Sequence, residues 1–214
     1  TFSILHQKPF IAVNHLEGHL FASRLDHPDI TPPFISLIVS GGHTELTVVQ
    51  DWGKYVHLGR TRDDAAGEVF DKVAKYLKIG YPGGPLIDNR ASNANPTRFH
   101  FRGGLEDQEN YDFSFSGLKT AVIRAYDQLS DSSKKDEKGI NDLLASFQRS
   151  VVRTLWKKTI RAVKKTGIRS VSLGGGVAAN SSLRSLFSQK GFQNNIKVYL
   201  PSPALCTDNA AMIG

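Results

Sequence analysis

His15 and His19 stand four residues apart in His-Leu-Glu-Gly-His. On a helix that spacing projects both imidazoles from one face, where they can chelate one metal ion. The same pair also fits a helix face that holds no ion. Two histidines joined by one carboxylate form a facial set suited to ferrous iron, Fe2+, with zinc, Zn2+, as the alternative. Asp208, just after Cys206-Thr207, is open to two readings, a third ligand or the N-cap of a last helix.

Two glycine-rich loops offer a second kind of chemistry. Ser40-Gly41-Gly42-His43-Thr44 lies between two apolar segments, and a bare backbone there lets N–H groups close on phosphate or carboxylate oxygens; it equally suits a plain hairpin turn. Leu173-Gly174-Gly175-Gly176-Val177-Ala178-Ala179-Asn180 reads as strand, turn and helix, with Asn180 one turn into a helix whose N-terminal dipole favours an anion. Tight strand-to-helix packing explains the same glycines. Asp71, on a helix that runs toward Pro82-Gly83-Gly84-Pro85 and Asp88, is a carboxylate able to meet ribose or amino-acid hydroxyls, or a solvated partner of Lys72.

These residues need positioning elements. Phe34 to Val39 is apolar and β-branched, and Glu45 to Val49 alternates, so the pair reads as a hairpin about Ser40–His43. Ala66, Val69, Phe70, Val73 and Leu77 fall at helical spacing over Asp64 to Leu77, and a short helix is expected from Leu86. Tyr111, Phe113 and Phe115 alternate as in a strand, ahead of a helix from about Leu118. The polar run Asp127 to Gly139 reads as an exposed loop or lobe junction. Beyond it, Ile140 to Thr166 is one long helix or two, Ser170 to Leu173 a strand, Val177 to Phe187 a helix and Lys197 to Leu200 a last strand. Arg149, Arg153, Lys157, Arg161 and Lys165 recur every four residues along the long helix, beside Lys158 and Lys164. Such a basic stripe fits a solvated surface or a contact with a nucleic-acid backbone.

Composition sets the outer limits. In 214 residues, 40% are hydrophobic and 22% charged, which describes a globular protein rather than a disordered chain or a fibre. No apolar run approaches the roughly 20 residues of a membrane span, and no signal-peptide pattern opens the chain, so a cytoplasmic protein is expected. The single cysteine, Cys206, excludes an internal disulfide and a multi-cysteine zinc knuckle. The net charge of +7 favours polyanionic partners. The chain starts at Thr1 and stops inside an apolar stretch, so both ends read as cut.

Eight motifs then carry a resemblance. His-Leu-Glu-Gly-His, Leu-Ile-Val-Ser-Gly-Gly-His-Thr, Asp-Asp-Ala-Ala-Gly-Glu-Val-Phe-Asp-Lys, Tyr-Pro-Gly-Gly-Pro, Phe-Ser-Phe-Ser-Gly-Leu-Lys-Thr, Ala-Ser-Phe-Gln, Gly-Gly-Val-Ala-Ala-Asn and Cys-Thr-Asp-Asn-Ala occur in this order over nearly the whole chain. Together they resemble the universal tRNA N6-adenosine threonylcarbamoyltransferase family. The resemblance implies an α/β protein with the actin-like ATPase and sugar-kinase fold of two RNase H-like lobes. On that reading 1–126 is the remainder of the first lobe, with the histidine pair and an insertion, and 127–214 is the second lobe. An N-terminal phosphate-loop region is expected outside this sequence.

By the same resemblance His15, His19 and Asp208 would bind iron or zinc. Ile38, Val39, Ser40, Gly41, Gly42, Asp71, Gly84, Asp88 and Asn180 would line the pocket for threonylcarbamoyl-adenylate. The implied reaction is attack of the exocyclic amine of adenosine 37, in tRNAs reading ANN codons, on the threonylcarbamoyl carbonyl, with AMP leaving. No residue reads as its general base. The implied partners are tRNA and either a catalytically silent paralogue with a P-loop ATPase, as in bacterial members, or a second copy of the chain, as in members of the mitochondrial matrix; the wording of the motifs is closer to the bacterial ones. Two other classes stay open. A metallopeptidase would rest on His15 and His19, but the His-Glu-x-x-His pattern puts its base directly after the first histidine, whereas Glu17 sits two residues on, about 200° round the helix from His15. A non-catalytic nucleotide-binding partner of the same fold would be expected to lack the metal residues.

Overall fold

The computed structural model describes residues 2–214. Phe34–Val39 (β1) is buried at every position, because both faces of the strand are covered. Ile35, Leu37 and Val39 join the main core, while Phe34 and Ile38 join a smaller cluster on the opposite face. A strand buried on both faces reads as a continuous apolar run, which is how Phe-Ile-Ser-Leu-Ile-Val reads. Thr44–Asp51 (β2) returns antiparallel to it and pairs with Lys54–Arg60 (β3) at the sheet edge. Ser170–Gly174 (β4) lies parallel on the other side of β1, followed by Lys197–Tyr199 (β5), so the sheet order is β3-β2-β1-β4-β5.

The helices are Phe2–Leu5 (α1), His15–Asp26 (α2), Ala66–Tyr76 (α3), Gly83–Ala91 (α4), Ser116–Asp127 (α5), Asp131–Lys135 (α6), Glu137–Thr166 (α7), Ser181–Gln193 (α8) and Pro203–Cys206 (α9). Leu20 of α2 packs into the smaller cluster, whereas α3, α5, α7 and α8 supply the main core. The Asp136 side chain caps the start of α7, and Gly167, left-handed at φ 76°, ends it. That single helix of 30 residues resolves the choice between one helix and two. None of the described helices is long and apolar enough to cross a membrane.

Several expectations need correction. Tyr111 to Phe115 forms isolated bridges at Phe113 and Ser114 rather than a strand, its aromatic rings being used to fill the core. The polar run 127–139 contains α6 and the first turn of α7, built on the N-caps Ser130 and Asp136 rather than on apolar spacing. The short helix expected from Leu86 starts at Gly83. Residues 176–179 form a 3-10 turn, so Asn180 is the N-cap of α8 and not a residue inside a helix. No helix starts at Asp208 either; Asn209 accepts from the backbone of Met212 instead. Strands from both sides of residue 127 share the one sheet, and the main core draws on both.

Candidate functional site

β1 and β4 are parallel neighbours, so their C-terminal ends carry the two glycine loops side by side. This is the edge of an α/β sheet where ligands collect. The contact is close. Gly175 holds φ 85°, and a Cβ built on it would lie 2.4 Å from the Val39 carbonyl oxygen, so only glycine fits there.

The Ser40–Thr44 loop spends much of its hydrogen-bonding capacity on the fold. Ser40 Oγ accepts from the backbone of Gly42 and His43. The Ser40 carbonyl accepts from Gly67, and Thr44 Oγ1 accepts from Ala66, so the loop satisfies two of the free N–H groups that open α3. Ile38 and Val39 have buried side chains and can offer a ligand only main-chain atoms.

Against the turn that follows β4 lies a cleft of about 410 Å³ lined by Gly84, Asp88, Asn89, Gly176, Asn180 and Ser181, among others. Of the residues expected at a nucleotide pocket, Gly84, Asp88 and Asn180 come together here. Ile38, Val39, Ser40, Gly41, Gly42 and Asp71 are not among its lining residues. Asp71 lines a separate pocket with Lys72 and Tyr81, and it accepts from the Gly83 backbone at 2.7 Å, so capping α4. Lys72 turns away from Asp71 to Asp64 and Glu68. Asp88 accepts from the Ser181 backbone at 2.8 Å and hydroxyl at 2.7 Å, which ties α4 to the first turn of α8.

Against the same turn stand the two histidines. A Cβ at Gly174 would lie 2.9 Å from the His19 carbonyl oxygen, and one at Gly176 would lie 3.7 Å from Thr207. Asn14 caps α2 through the backbone of Leu16 and Glu17, which places His15 and His19 one turn apart with ring centroids 4.8 Å from each other. Asp208 Oδ1 is 3.4 Å from His15 Nε2 and 3.2 Å from His19 Nε2. The three residues offer ligand atoms within 4.8 Å of one another. His19 is buried, and neither of its ring nitrogens has an aligned hydrogen-bond partner among the described residues, although Asp208 is near one of them. Burial drives its imidazole pKa down and His15 adds to this, outweighing the pull of Asp208, so the ring is neutral and its lone pair free. Glu17 points elsewhere, to the Tyr55 hydroxyl, whose pKa burial and that bond raise to about 12.

Much of the basic stripe of α7 is engaged within the protein itself. Arg153 and Lys157 reach the buried carboxylate of Glu106 at 3.0 and 2.5 Å. Lys158 and Arg161 bind carbonyls of Gln108 and Asn110, and Arg149 approaches that of Pro96. The cations hold the 96–110 segment against the helix. Nothing in the stripe alone announces this, since its acceptors lie some 50 residues upstream.

An α/β fold of this topology belongs to the actin-like class, and here it sets a cleft and a His-His-Asp cluster against one glycine turn. The first comparison for fold is with the crystal structure of T. kodakarensis HypF, which aligns over 99% of this chain and 37% of its own with a TM-score of 0.72 at 14% identity. HypF in its phosphate- and nucleotide-bound form aligns at a TM-score of 0.71 over 94% of the chain and 34% of its own, also at 14% identity. Such identities speak for the fold alone. The sequence speaks for the family: the profile described as tRNA N6-adenosine threonylcarbamoyltransferase matches residues 1–214. The chain belongs to that family. Proteins of this name from Rippkaea orientalis and Clostridioides difficile are 52% and 50% identical over 100% and 96% of the chain. The chain spans 63% and 60% of their respective lengths.

Proposed function

We propose that this chain supplies the adenylate cleft and the metal ligands of a protein that transfers threonylcarbamoyl from threonylcarbamoyl-adenylate to N6 of adenosine 37 in tRNA. The observation that carries the reading is that the Asp88–Asn180 cleft and the His15–His19–Asp208 cluster both abut the Gly174–Gly176 turn. In it Asp88, held by Ser181, accepts from a sugar hydroxyl, and the bare edge of Gly84 admits the nucleoside. The free backbone around Gly176 faces the adenylate phosphate as AMP leaves.

His15, His19 and Asp208 would hold the metal, and the donor set fits: a neutral buried imidazole with unsatisfied nitrogens, a second imidazole and a carboxylate suit ferrous iron, with zinc as the alternative. Bound there, the ion supplies Lewis acidity and a template for the substrate. The Asp208 side chain is largely exposed, so the site opens to the face from which a substrate arrives. The reading extends to tRNA as the acceptor in the cytoplasm, consistent with the net charge of +7. Its protein partners are a catalytically silent paralogue and a P-loop ATPase, or a second copy of the chain in a mitochondrial setting.

The test uses the full-length protein with its partners, radiolabelled threonylcarbamoyl-adenylate and unmodified tRNA. His15→Ala and Asp208→Ala are each expected to lower metal affinity by on the order of a hundredfold and to abolish measurable transfer. Transfer that persists in metal-depleted variants would remove the cluster from the reaction, and no transfer by the unaltered protein would remove the reaction itself.

A further inference from the structure

Gln148, from the Ala-Ser-Phe-Gln stretch of α7, is 4% exposed and hydrogen-bonds through both the nitrogen and the oxygen of its amide. Its Nε2 donates to Asp88 Oδ1 at 3.1 Å, and its Oε1 accepts from Asn180 Nδ2 at 2.9 Å. Asn180 Oδ1 in turn accepts from the backbone of Leu183 at 2.9 Å.

Polarity fixes this chain of bonds at both ends. A backbone N–H only donates, so the Asn180 oxygen must face Leu183 and its NH2 must face Gln148. The Gln148 oxygen therefore takes that side, leaving its NH2 for Asp88, and an ionised carboxylate only accepts. Neither amide can flip without leaving buried polar groups unpaired, at a cost well above that of an ordinary lost bond. Gln148 is not among the residues lining the adenylate cleft. It lines a neighbouring cavity of about 470 Å³ that shares Ser92 and Ser181 with the cleft. It forms part of the wall between the two.

We propose that Gln148 is the positioning residue of the adenylate site, locking the Asp88 carboxylate and the Asn180 amide in the orientations that receive the nucleoside. The inference rests on the adenylate reading above and adds to it a residue that touches no ligand. An amide of this length is required. A shorter side chain cannot reach both partners, a carboxylate repels Asp88, and an apolar side chain leaves Asp88 and Asn180 each one partner short.

The experiment is calorimetric titration of full-length protein with AMP. Gln148→Met preserves length and volume and is expected to weaken AMP binding by on the order of tenfold, through the loss of two buried hydrogen bonds. Gln148→Glu is expected to weaken it further at pH 7.5, where its new carboxylate faces that of Asp88. It should recover part of the affinity near pH 5, as one proton comes to be shared between the two groups. That recovery separates positioning from a general loss of packing, which Gln148→Met would not show, and it keeps the inference testable should the methionine variant fold poorly. AMP bound as tightly by both variants as by the unaltered protein overturns the role of Gln148 while the adenylate site stands. No binding of AMP by the unaltered protein overturns the site and this role with it.

Discussion

Lys158 carries its ammonium group with no exposed surface, against the Gln108 and Asn110 carbonyls and the Asn110 side-chain oxygen. Burial first, and the nearby Arg161 second, pull its pKa from 10.5 down to about 8. Below pH 8 the folded and unfolded chains both hold the proton, and the full cost of the buried charge is present. Between pH 8 and 10.5 the unfolded chain binds a proton the folded chain has released, so the contribution of this residue to stability rises with pH. Urea unfolding from pH 7 to 10 is expected to show the parent chain gaining on Lys158→Met across that window. Parallel curves would mean that Lys158 titrates normally. At this scale the sequence was readable where chemistry and spacing coincide, as in His15 and His19. Asp208 entered the set only through the family resemblance, its partners lying about 190 residues away, and Gln148 was not readable, since its role exists only once α4, α7 and α8 have met.

Elements were legible where one face is apolar, as with β1, α3 and α7, and illegible where polar contacts define them. β3 has mostly exposed residues, so no alternation marks it; pairing with β2 makes it a strand. The internal partners of the stripe on α7 were not legible because its spacing is local and its acceptors are not. Glu106→Gln should therefore loosen the 96–110 segment. A loss of about 1–3 kcal/mol is expected, less than for a fully buried pair because Arg153 and Lys157 are nearly half exposed. Limited trypsin digestion should cut faster at Arg98 or Arg102; unchanged cleavage would mean that the other cations hold the segment alone. Two glycines separate fold from site. Gly175→Ala places a methyl against the Val39 carbonyl at a positive φ and is expected to cost roughly 2 kcal/mol or more. Gly84→Ala meets nothing within 4 Å and lies in α4, so stability should hold within about 0.5 kcal/mol while the methyl narrows the cleft and weakens AMP binding. Thermal melts and the AMP titration read the two effects apart; equal stability losses would refute the distinction.

Over the whole molecule, one sheet and one main core join residues from both ends of the sequence. Trp52 packs with Phe21 and Phe34 beside the smaller cluster, and Trp156 packs with Phe187 in the main core. Because both clusters share β1, fluorescence of Trp52→Phe and Trp156→Phe chains should report the same urea midpoint, once each is corrected for its own change in stability by far-UV circular dichroism. Separate midpoints within one variant would show that the two faces of the sheet unfold independently. Two of the motifs, Ser40–Thr44 and Gly174–Asn180, mark the ends of β1 and β4, and most of the others lie on helices or their approaches. The motifs did not convey that the halves on either side of residue 127 interlock, since pairing between distant strands leaves no local mark.

The parallel pairing of β1 with β4 also sets a timetable. About 130 residues separate the two strands, and at roughly 5–20 residues per second the ribosome takes on the order of ten seconds to make them. Throughout that interval β1 is synthesised but half-paired, its inner edge an open template of N–H and C=O groups beside a strand of bare hydrophobic residues. The same adjacency that brings the two glycine turns together in the finished protein makes the nascent chain dependent on shielding until its second parallel strand emerges.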